Sequence, residues 1–327
     1  MPRRCNAAVR PVSPHANDGV FGEFSRHRQY NSPIARELML DTDTRDIGQK
    51  IANCALTLKA NVIVHPDLPP ETNLTAARVC NTRLCPFCEW RRTRVWRKRL
   101  YGGLGRLLDE QPKLTALFLT LTVRNVPLDH LGDQLDEMNA AWHRMKNRAF
   151  FPTSYWFRRT EVTVGYPPGM AQAFAHPHFH VLLLVRPSYF STGYVKQTEW
   201  QRQWMTAGKL DYAPVVDVRR GYKKNDTGSD SAESARSAVL EAAKYAAKAT
   251  ELMELGTDIR ELHWQLRNRR LYALSTDLRR YIKDGEIEES EMLDNDAKPL
   301  PVGAEQIEVM ARWFEDTSEY LITDLAP

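Results

Sequence analysis

The 327-residue sequence contains no long apolar run: nowhere do about 18 apolar residues follow one another, so no membrane-spanning helix is expected. Its first 18 residues, MPRRCNAAVRPVSPHAND, are basic but lack the apolar stretch of a secretory signal. We therefore expect a cytoplasmic protein with no membrane partner. A GxxxxGK[S/T] loop is also missing, so the chain carries no helicase motif of the P-loop type.

Cysteine is scarce and unevenly placed. Of five cysteines, Cys80, Cys85 and Cys88 fall within nine residues, and Cys5 has no apparent partner. Without a secretion signal a disulfide framework is not expected, and metal binding explains the cluster better.

The Cys80-x4-Cys85-x2-Cys88 spacing is typical of structural zinc sites. Cys54 or His65 could supply the fourth ligand, and Cys54 is favoured because four-thiolate sites are common. The alternative is a group of buried, reduced thiols.

The net charge is only +4, but basic residues crowd the segment after the CPFC motif, where Trp90 and Trp96 are interleaved with them. Arginine binds phosphate in a bidentate way and tryptophan can stack on bases, so the segment predicts a DNA-binding surface. An amphipathic helix with its tryptophans in the core is the alternative. The basic residues are Arg91, Arg92, Arg94, Arg97, Lys98 and Arg99.

Hydrophobic periodicity predicts an α+β fold, a central antiparallel sheet flanked by helices. Strands are expected at residues 51–64, 116–123, 155–166, 178–185 and 214–220. Helices are expected at residues 90–107, 128–148, 198–207, 239–255 and, as a basic stretch, 259–283. Residues 225–237 have low complexity and predict a flexible loop.

Four regions follow from these patterns. They are a disordered or loosely packed tail (1–46), a Cys-rich, basic, zinc-binding segment (47–112), a domain with the central sheet (113–283) and an acidic linker with a C-terminal helix (284–327).

A histidine pair marks the predicted strand 178–185. Because alternate residues of a strand share a face, His178 and His180 project together and can chelate a divalent cation. Glu161 lies in the preceding strand, and a hairpin would bring it alongside as a hard third ligand that favours Mg²⁺ or Mn²⁺. Pro177 is expected to end the strand before His176. Taken alone, the pair could also be two ordinary strand histidines.

A tyrosine lies on the predicted helix 239–255. Glu241 is one turn before Tyr245, and Lys248 follows on nearly the same face. A lysine ammonium can favour the phenolate of a tyrosine, and a carboxylate can accept its proton or one from water. Ordinary salt links along a solvated helix are the alternative.

Three motifs in this order, FLTLTVRNV, HPHFHVLLLV and EAAKYAAK, closely resemble the rolling-circle replication initiators of small plasmids, within the HUH endonuclease superfamily. The likeness is to initiators with one tyrosine and a glutamate one turn before it. It extends over residues 54–283 and includes CNTRLCPFCEWRR. It implies an HUH endonuclease-like sheet with the zinc-binding segment on its N-terminal side.

The resemblance also implies roles. His178 and His180 match the metal-binding pair, and Tyr245 matches the nucleophile that becomes joined to the 5′ phosphate. Glu241 matches the carboxylate that activates water at termination. The FLTLT strand matches the first motif of the family, beneath the metal site.

The expected function is therefore nicking of one strand at a plasmid double-strand origin through a phosphotyrosine, with rejoining at termination. The expected cofactors are Mg²⁺ or Mn²⁺ for nicking and a structural Zn²⁺. The expected partners are origin DNA, presented as a single-stranded hairpin, and a host helicase and DNA polymerase. A single-tyrosine HUH transposase and a non-catalytic, zinc-containing DNA-binding regulator are the alternatives.

Overall fold

Ten strands and eight α-helices make up the part of the chain that the computed structural model describes, residues 20–220, 249–284, 287–294 and 300–325. The strands are β1 (Thr57–His65), β2 (Leu68–Ala77), β3 (Thr115–Thr122), β4 (Val126–Pro127), β5 (Trp156–Gly165), β6 (Phe174–Val185), β7 (Val216–Arg220), β8 (Tyr272–Leu274), β9 (Glu305–Phe314) and β10 (Glu319–Leu325). The helices are α1 (Gly22–Arg28), α2 (Asn31–Met39), α3 (Arg45–Ala52), α4 (Pro86–Glu110), α5 (Leu131–Lys146), α6 (Gln197–Gly208), α7 (Ala249–Glu254) and α8 (Ile259–Leu266). The predicted α+β fold with antiparallel sheets is confirmed.

The larger sheet has the strand order β7-β3-β6-β5-β8, and β4 pairs with the start of β6. Its central strand β6 is apolar on both faces over its second half. Phe179, Val181 and Leu183 pack with tryptophans of α5 and α6, whereas Leu182 and Leu184 belong to the core that includes α4. On the face that carries Leu182 and Leu184, only the first half of β6 is therefore left for polar side chains.

In the smaller sheet, the first two strands of the chain pair with the last two. Its order is β10-β9-β1-β2, and β9 pairs with β1 along the whole length from Thr57 to Val64. Tyr320 of β10 donates a hydrogen bond to the carbonyl of Ala55 at 2.5 Å. The sheet lies next to α1 and the start of α4, because Phe21 contacts Tyr320 and Phe24 contacts Phe87.

The N-terminal region departs from the prediction of a loose tail. Helices α1 and α2 and the start of α3 lie in this region, and Phe24, Ile34 and Leu38 are buried in the main core. The i,i+4 spacing of Ile34 and Leu38 was the available signal, but it is short and surrounded by charge. Residues 1–19 lie outside the described part.

Two predicted helices differ from the structure, the first in its extent and the second altogether. The basic helix expected at 259–283 ends at Leu266, and Tyr272 to Leu274 then pair with β5 as strand β8. The C-terminal helix expected within 284–327 is instead the hairpin of β9 and β10. In β9 the buried residues alternate, as Val309, Ala311 and Trp313, which is the period of a strand.

Other predictions lie outside the described residues, namely the loop 225–237 and the helix 239–255 before residue 249. The domain boundaries stay predictions. Among the residues that the structure describes, no helix is long and apolar enough to cross a membrane.

Candidate metal centres

A carboxylate and two imidazoles meet on the polar half of the larger sheet. Glu161 of β5 is the register partner of His178 in β6. The His180 Nε2 lies 2.8 Å and the His178 Nε2 3.5 Å from the same carboxylate oxygen, Glu161 Oε2. The strand pairing thus brings together the three residues that the sequence predicted as ligands.

Hydrogen bonds hold both rings with Nε2 toward Glu161. The Nδ1 of His178 lies 3.2 Å from the carbonyl oxygen of His176, and the Nδ1 of His180 lies 3.3 Å from the hydroxyl of Thr120. Metal-binding histidines commonly use their second nitrogen in this way, because the bond fixes the ring and its tautomer.

This group, defined as the Glu-His-His cluster, fits a divalent cation by its donor chemistry. One ligand atom from each residue lies within 4.8 Å of the others, and all three side chains are partly exposed. Burial alone would raise the pKa of Glu161, but hydrogen bonds from His178 and His180 outweigh it and lower that pKa below its usual range. One carboxylate and two imidazoles that remain partly exposed are suitable donors for a divalent cation.

Pro177 does not end the strand, contrary to the prediction. Strand β6 begins at Phe174, and His176 lies within it. The reason is the neighbouring edge: β3 pairs with β6 only as far as His178, and β4 pairs at Phe174 and Ala175. Pro177 lies between the part of β6 that pairs with β3 and the part that pairs with β4, so the N–H that proline lacks is not needed for a hydrogen bond on that edge.

The predicted tyrosine, glutamate and lysine of the third motif, Tyr245, Glu241 and Lys248, lie outside the described residues. Their roles stay predictions.

The second group contains Cys54, Cys80, Cys85 and Cys88, defined as the Cys cluster. The Sγ of Cys88 lies 3.5 Å from that of Cys54 and 3.6 Å from that of Cys80. All four sulfurs lie within 4.8 Å of one another. Hydrogen bonds from Cys54, Cys85 and Cys88 hold the pKa of Cys80 far below its usual value.

The geometry fits a tetrahedral thiolate site. Zn–S bonds of about 2.3 Å place sulfurs about 3.8 Å apart, close to the two distances above. His65, the alternative fourth ligand, is instead at the exposed end of β1, with its Nε2 3.2 Å from the carbonyl of Val302. Cys54 therefore occupies the fourth position of the group.

Three of the six basic residues of α4 that were predicted to bind DNA are instead paired with acidic residues of this chain, which corrects that part of the prediction. Arg91 is 2% exposed and makes a bidentate contact with Asp294, at 2.9 and 3.1 Å. Arg92 is buried against Glu89, and Arg99 binds Glu291. The acidic segment that contains Asp294 and Glu291 was the missed signal, since its charge complements the helix.

The remaining positions differ. Arg94 and Lys98 are exposed, and Arg97 is half-buried, so these three stay predicted DNA contacts. Trp90 and Trp96 are buried, and Trp96 stacks on Tyr272 with ring centroids 4.8 Å apart. Both tryptophans are therefore core residues, as the alternative interpretation proposed.

Known proteins resemble this chain over most of its length. A family described as "Replication protein" matches residues 71–321. A "Protein rep" of Bacillus amyloliquefaciens is 32% identical over 280 residues, which cover 77% of this chain and 80% of that protein. A "Protein rep" of a Bacillus species is 36% identical over 63% of this chain and 67% of the relative. A "Replication protein" of Staphylococcus aureus is 30% identical over 68% of this chain and 96% of its own length.

No solved structure matches significantly. The family match reaches past residue 283, where the resemblance was expected to end, and includes β9 and part of β10. The extent of this match and the identity of these relatives confirm the Rep resemblance in the sequence: the chain belongs to the replication protein family.

Proposed function

We propose that this protein initiates rolling-circle replication by nicking one strand at a plasmid double-strand origin. The observation that carries the proposal is the Glu-His-His cluster on adjacent strands of an antiparallel sheet, at the half of the sheet face that α4 leaves open. Membership of the replication protein family supports it. An origin must present the nick site as a single strand, such as an extruded hairpin, because in a duplex the scissile phosphate would not be accessible in the geometry that the reaction needs.

The chemistry is a transesterification. A Mg²⁺ or Mn²⁺ held by Glu161, His178 and His180 would stabilise negative charge on the scissile phosphate. The Tyr245 hydroxyl attacks phosphorus, the P–O bond to the 3′ oxygen breaks, and the proton passes from the tyrosine to that leaving oxygen or to solvent. Lys248 favours the phenolate through its charge. The free 3′ hydroxyl then primes a host polymerase, and a host helicase opens the duplex.

Rejoining and release complete the cycle. The phosphotyrosine preserves the energy of the broken bond for the rejoining step. Glu241 serves as general base for a water that makes the final cleavage. The Cys cluster holds a structural Zn²⁺.

Adduct formation tests the proposal directly. The protein is incubated with Mn²⁺ and a labelled single-stranded oligonucleotide that contains the origin of its own plasmid, and the products are separated on a denaturing gel. A labelled band that persists under denaturation and disappears after protease treatment is expected. A DNA-binding regulator would bind the oligonucleotide but form no such band, and this outcome would reject nicking.

A single-tyrosine transposase would use the same chemistry. The family match favours the initiator, and rolling-circle synthesis from a cloned origin distinguishes the two.

The substitution His180→Ala should reduce the rate of nicking by about 10²-fold or more, because it removes one of three metal donors. The zinc content and the melting temperature should stay close to those of the wild type. The measurements are Mn²⁺ affinity by calorimetry and the rate of adduct formation. His176→Ala is the matched control, since His176 lies on the same strand face but outside the Glu-His-His cluster. An equal loss in both variants would contradict a specific metal role.

The substitution Glu241→Ala should leave the first nick nearly unchanged yet prevent termination, because only the water-dependent cleavage needs a general base. Multimeric single-stranded products should accumulate in a replication assay in vitro. Glu254→Ala, at an exposed position of α7, is the control. If Glu241→Ala loses initial nicking as completely as a Tyr245 variant, the carboxylate has another role.

A further inference from the structure

A basic cavity lies beside the polar half of the larger sheet. Its volume is about 590 Å³, and it is bounded by the loop between Cys80 and Cys85, by the turn before β8, and by α4. The described residues that line it include four arginines and no carboxylate: Arg83, Arg92, Arg269 and Arg270. The acidic partners of three of them, Glu89, Asp136 and Asp284, do not line the cavity. The walls therefore present positive charge and N–H donors.

The inner wall holds polar groups without partners. Tyr272 lines the cavity, is 5% exposed, and has no hydrogen-bond partner for its hydroxyl. Beneath it, Arg159 is completely buried, its guanidinium lies 5.4 Å from the Tyr272 ring, and none of its three nitrogens has a hydrogen-bond partner. A buried hydroxyl without an acceptor is unfavourable, so an anion in the cavity that accepts a hydrogen bond from Tyr272 would stabilise this wall, and the charge of Arg159 behind it would add to the attraction.

The sheet register connects the cavity with the Glu-His-His cluster. His180 pairs with Arg159, and Arg159 pairs with Tyr272, so the three residues form one row across β6, β5 and β8. Neighbouring strands are about 4.8 Å apart, which places Tyr272 about 10 Å from His180. A strand of DNA with its scissile phosphate at the cluster would bring a nearby phosphate within reach of the cavity.

We propose that this cavity binds a phosphate group of the single-stranded DNA that flanks the nick, with Arg83 and Arg270 as its outer contacts. The proposal rests on the nicking function proposed above, because that function places the scissile phosphate at the cluster. A guanidinium group is a planar fork of N–H donors that can bind two phosphate oxygens at once, and it remains charged. Asn81 and Arg83 lie in the loop between two residues of the Cys cluster, so the cluster also sets the shape of this DNA contact.

Binding is tested with a fluorescein-labelled oligothymidylate, followed by fluorescence anisotropy over a range of salt concentrations. The double variant Arg83→Gln/Arg270→Gln should bind roughly tenfold more weakly, and the slope of log affinity against log salt should fall by about 0.7, the value for one phosphate contact on a single strand. Arg36→Gln/Arg312→Gln makes the same change of charge at exposed positions outside the cavity and is the matched control. Equal binding by the two double variants would overturn the proposal.

Asp284→Asn separates a DNA contact from a structural role. It removes the ion pair of Arg270 but keeps the guanidinium at the cavity. The variant should bind at least as tightly as the wild type if Arg270 contacts phosphate. Weakening equal to that of Arg270→Gln would show that the ion pair, and not the phosphate contact, matters.

The position of the phosphate is tested on the origin oligonucleotide with one neutral methylphosphonate moved along the strand. At one position near the nick, the substitution should weaken the wild type but not the Arg83→Gln/Arg270→Gln variant. The same pattern in both proteins at every position would overturn the proposal. If the wild type forms no covalent adduct at all, the nicking function fails, whereas the oligothymidylate comparison still decides whether the cavity binds phosphate.

Discussion

Tyr245→Phe should abolish covalent attachment to DNA, with a fall in nicking rate of at least about 10³-fold, because the substitution removes the attacking oxygen and little else. Binding to the single-stranded origin should persist, since the aromatic ring and the basic surfaces are retained. Both quantities are measured with one labelled oligonucleotide, the first on a denaturing gel and the second by anisotropy.

Tyr222→Phe is the control for this substitution, as another tyrosine between β7 and α7. Mass spectrometry of the nuclease-treated adduct should locate the nucleotide on Tyr245. An adduct mapped to Tyr222, or one formed normally by Tyr245→Phe, would reject the assignment of the nucleophile.

Cys85→Ala should release zinc and lower the free energy of unfolding by more than about 4 kcal/mol, a loss of the size expected for a structural metal site. Cys85 is completely buried, and its thiol also accepts a hydrogen bond from Asn31 of α2. The substitution therefore weakens the junction of the N-terminal helices with α4. Elemental analysis and thermal unfolding with and without a chelator provide the measurements.

Cys5→Ala is the matched control, because Cys5 belongs to no predicted site. It should keep one zinc per chain and the wild-type melting temperature. Wild-type protein without tightly bound zinc would refute the metal assignment of the Cys cluster.

Local patterns in the sequence predicted the residues of the Glu-His-His cluster and most of those of the Cys cluster. Period-two spacing placed His178 and His180 on one face, and hairpin geometry placed Glu161 opposite them, where the structure has it. The short spacing of Cys80, Cys85 and Cys88 predicted the Cys cluster in a similar way, because three of its four residues are close together in the sequence.

Long-range pairing could not be predicted in the same way. Whether Arg91 faces DNA or a carboxylate depends on Asp294, some 200 residues later in the chain. The strand β8 has only three residues, and its pairing with β5, not its intrinsic preference, makes it a strand. The apolar positions of β9 become informative only when β1 is known to lie beside them.

The pairing of β9 with β1 means that the smaller sheet can be completed only after β9, Glu305–Phe314, has been synthesised. A nascent chain that ends near residue 300 has already produced β1, β2 and all four residues of the Cys cluster, but one edge of β1 still lacks its partner. Unpaired strand edges readily pair with other chains. Termination of synthesis before β9 should therefore yield insoluble fragments and not a shortened protein that folds.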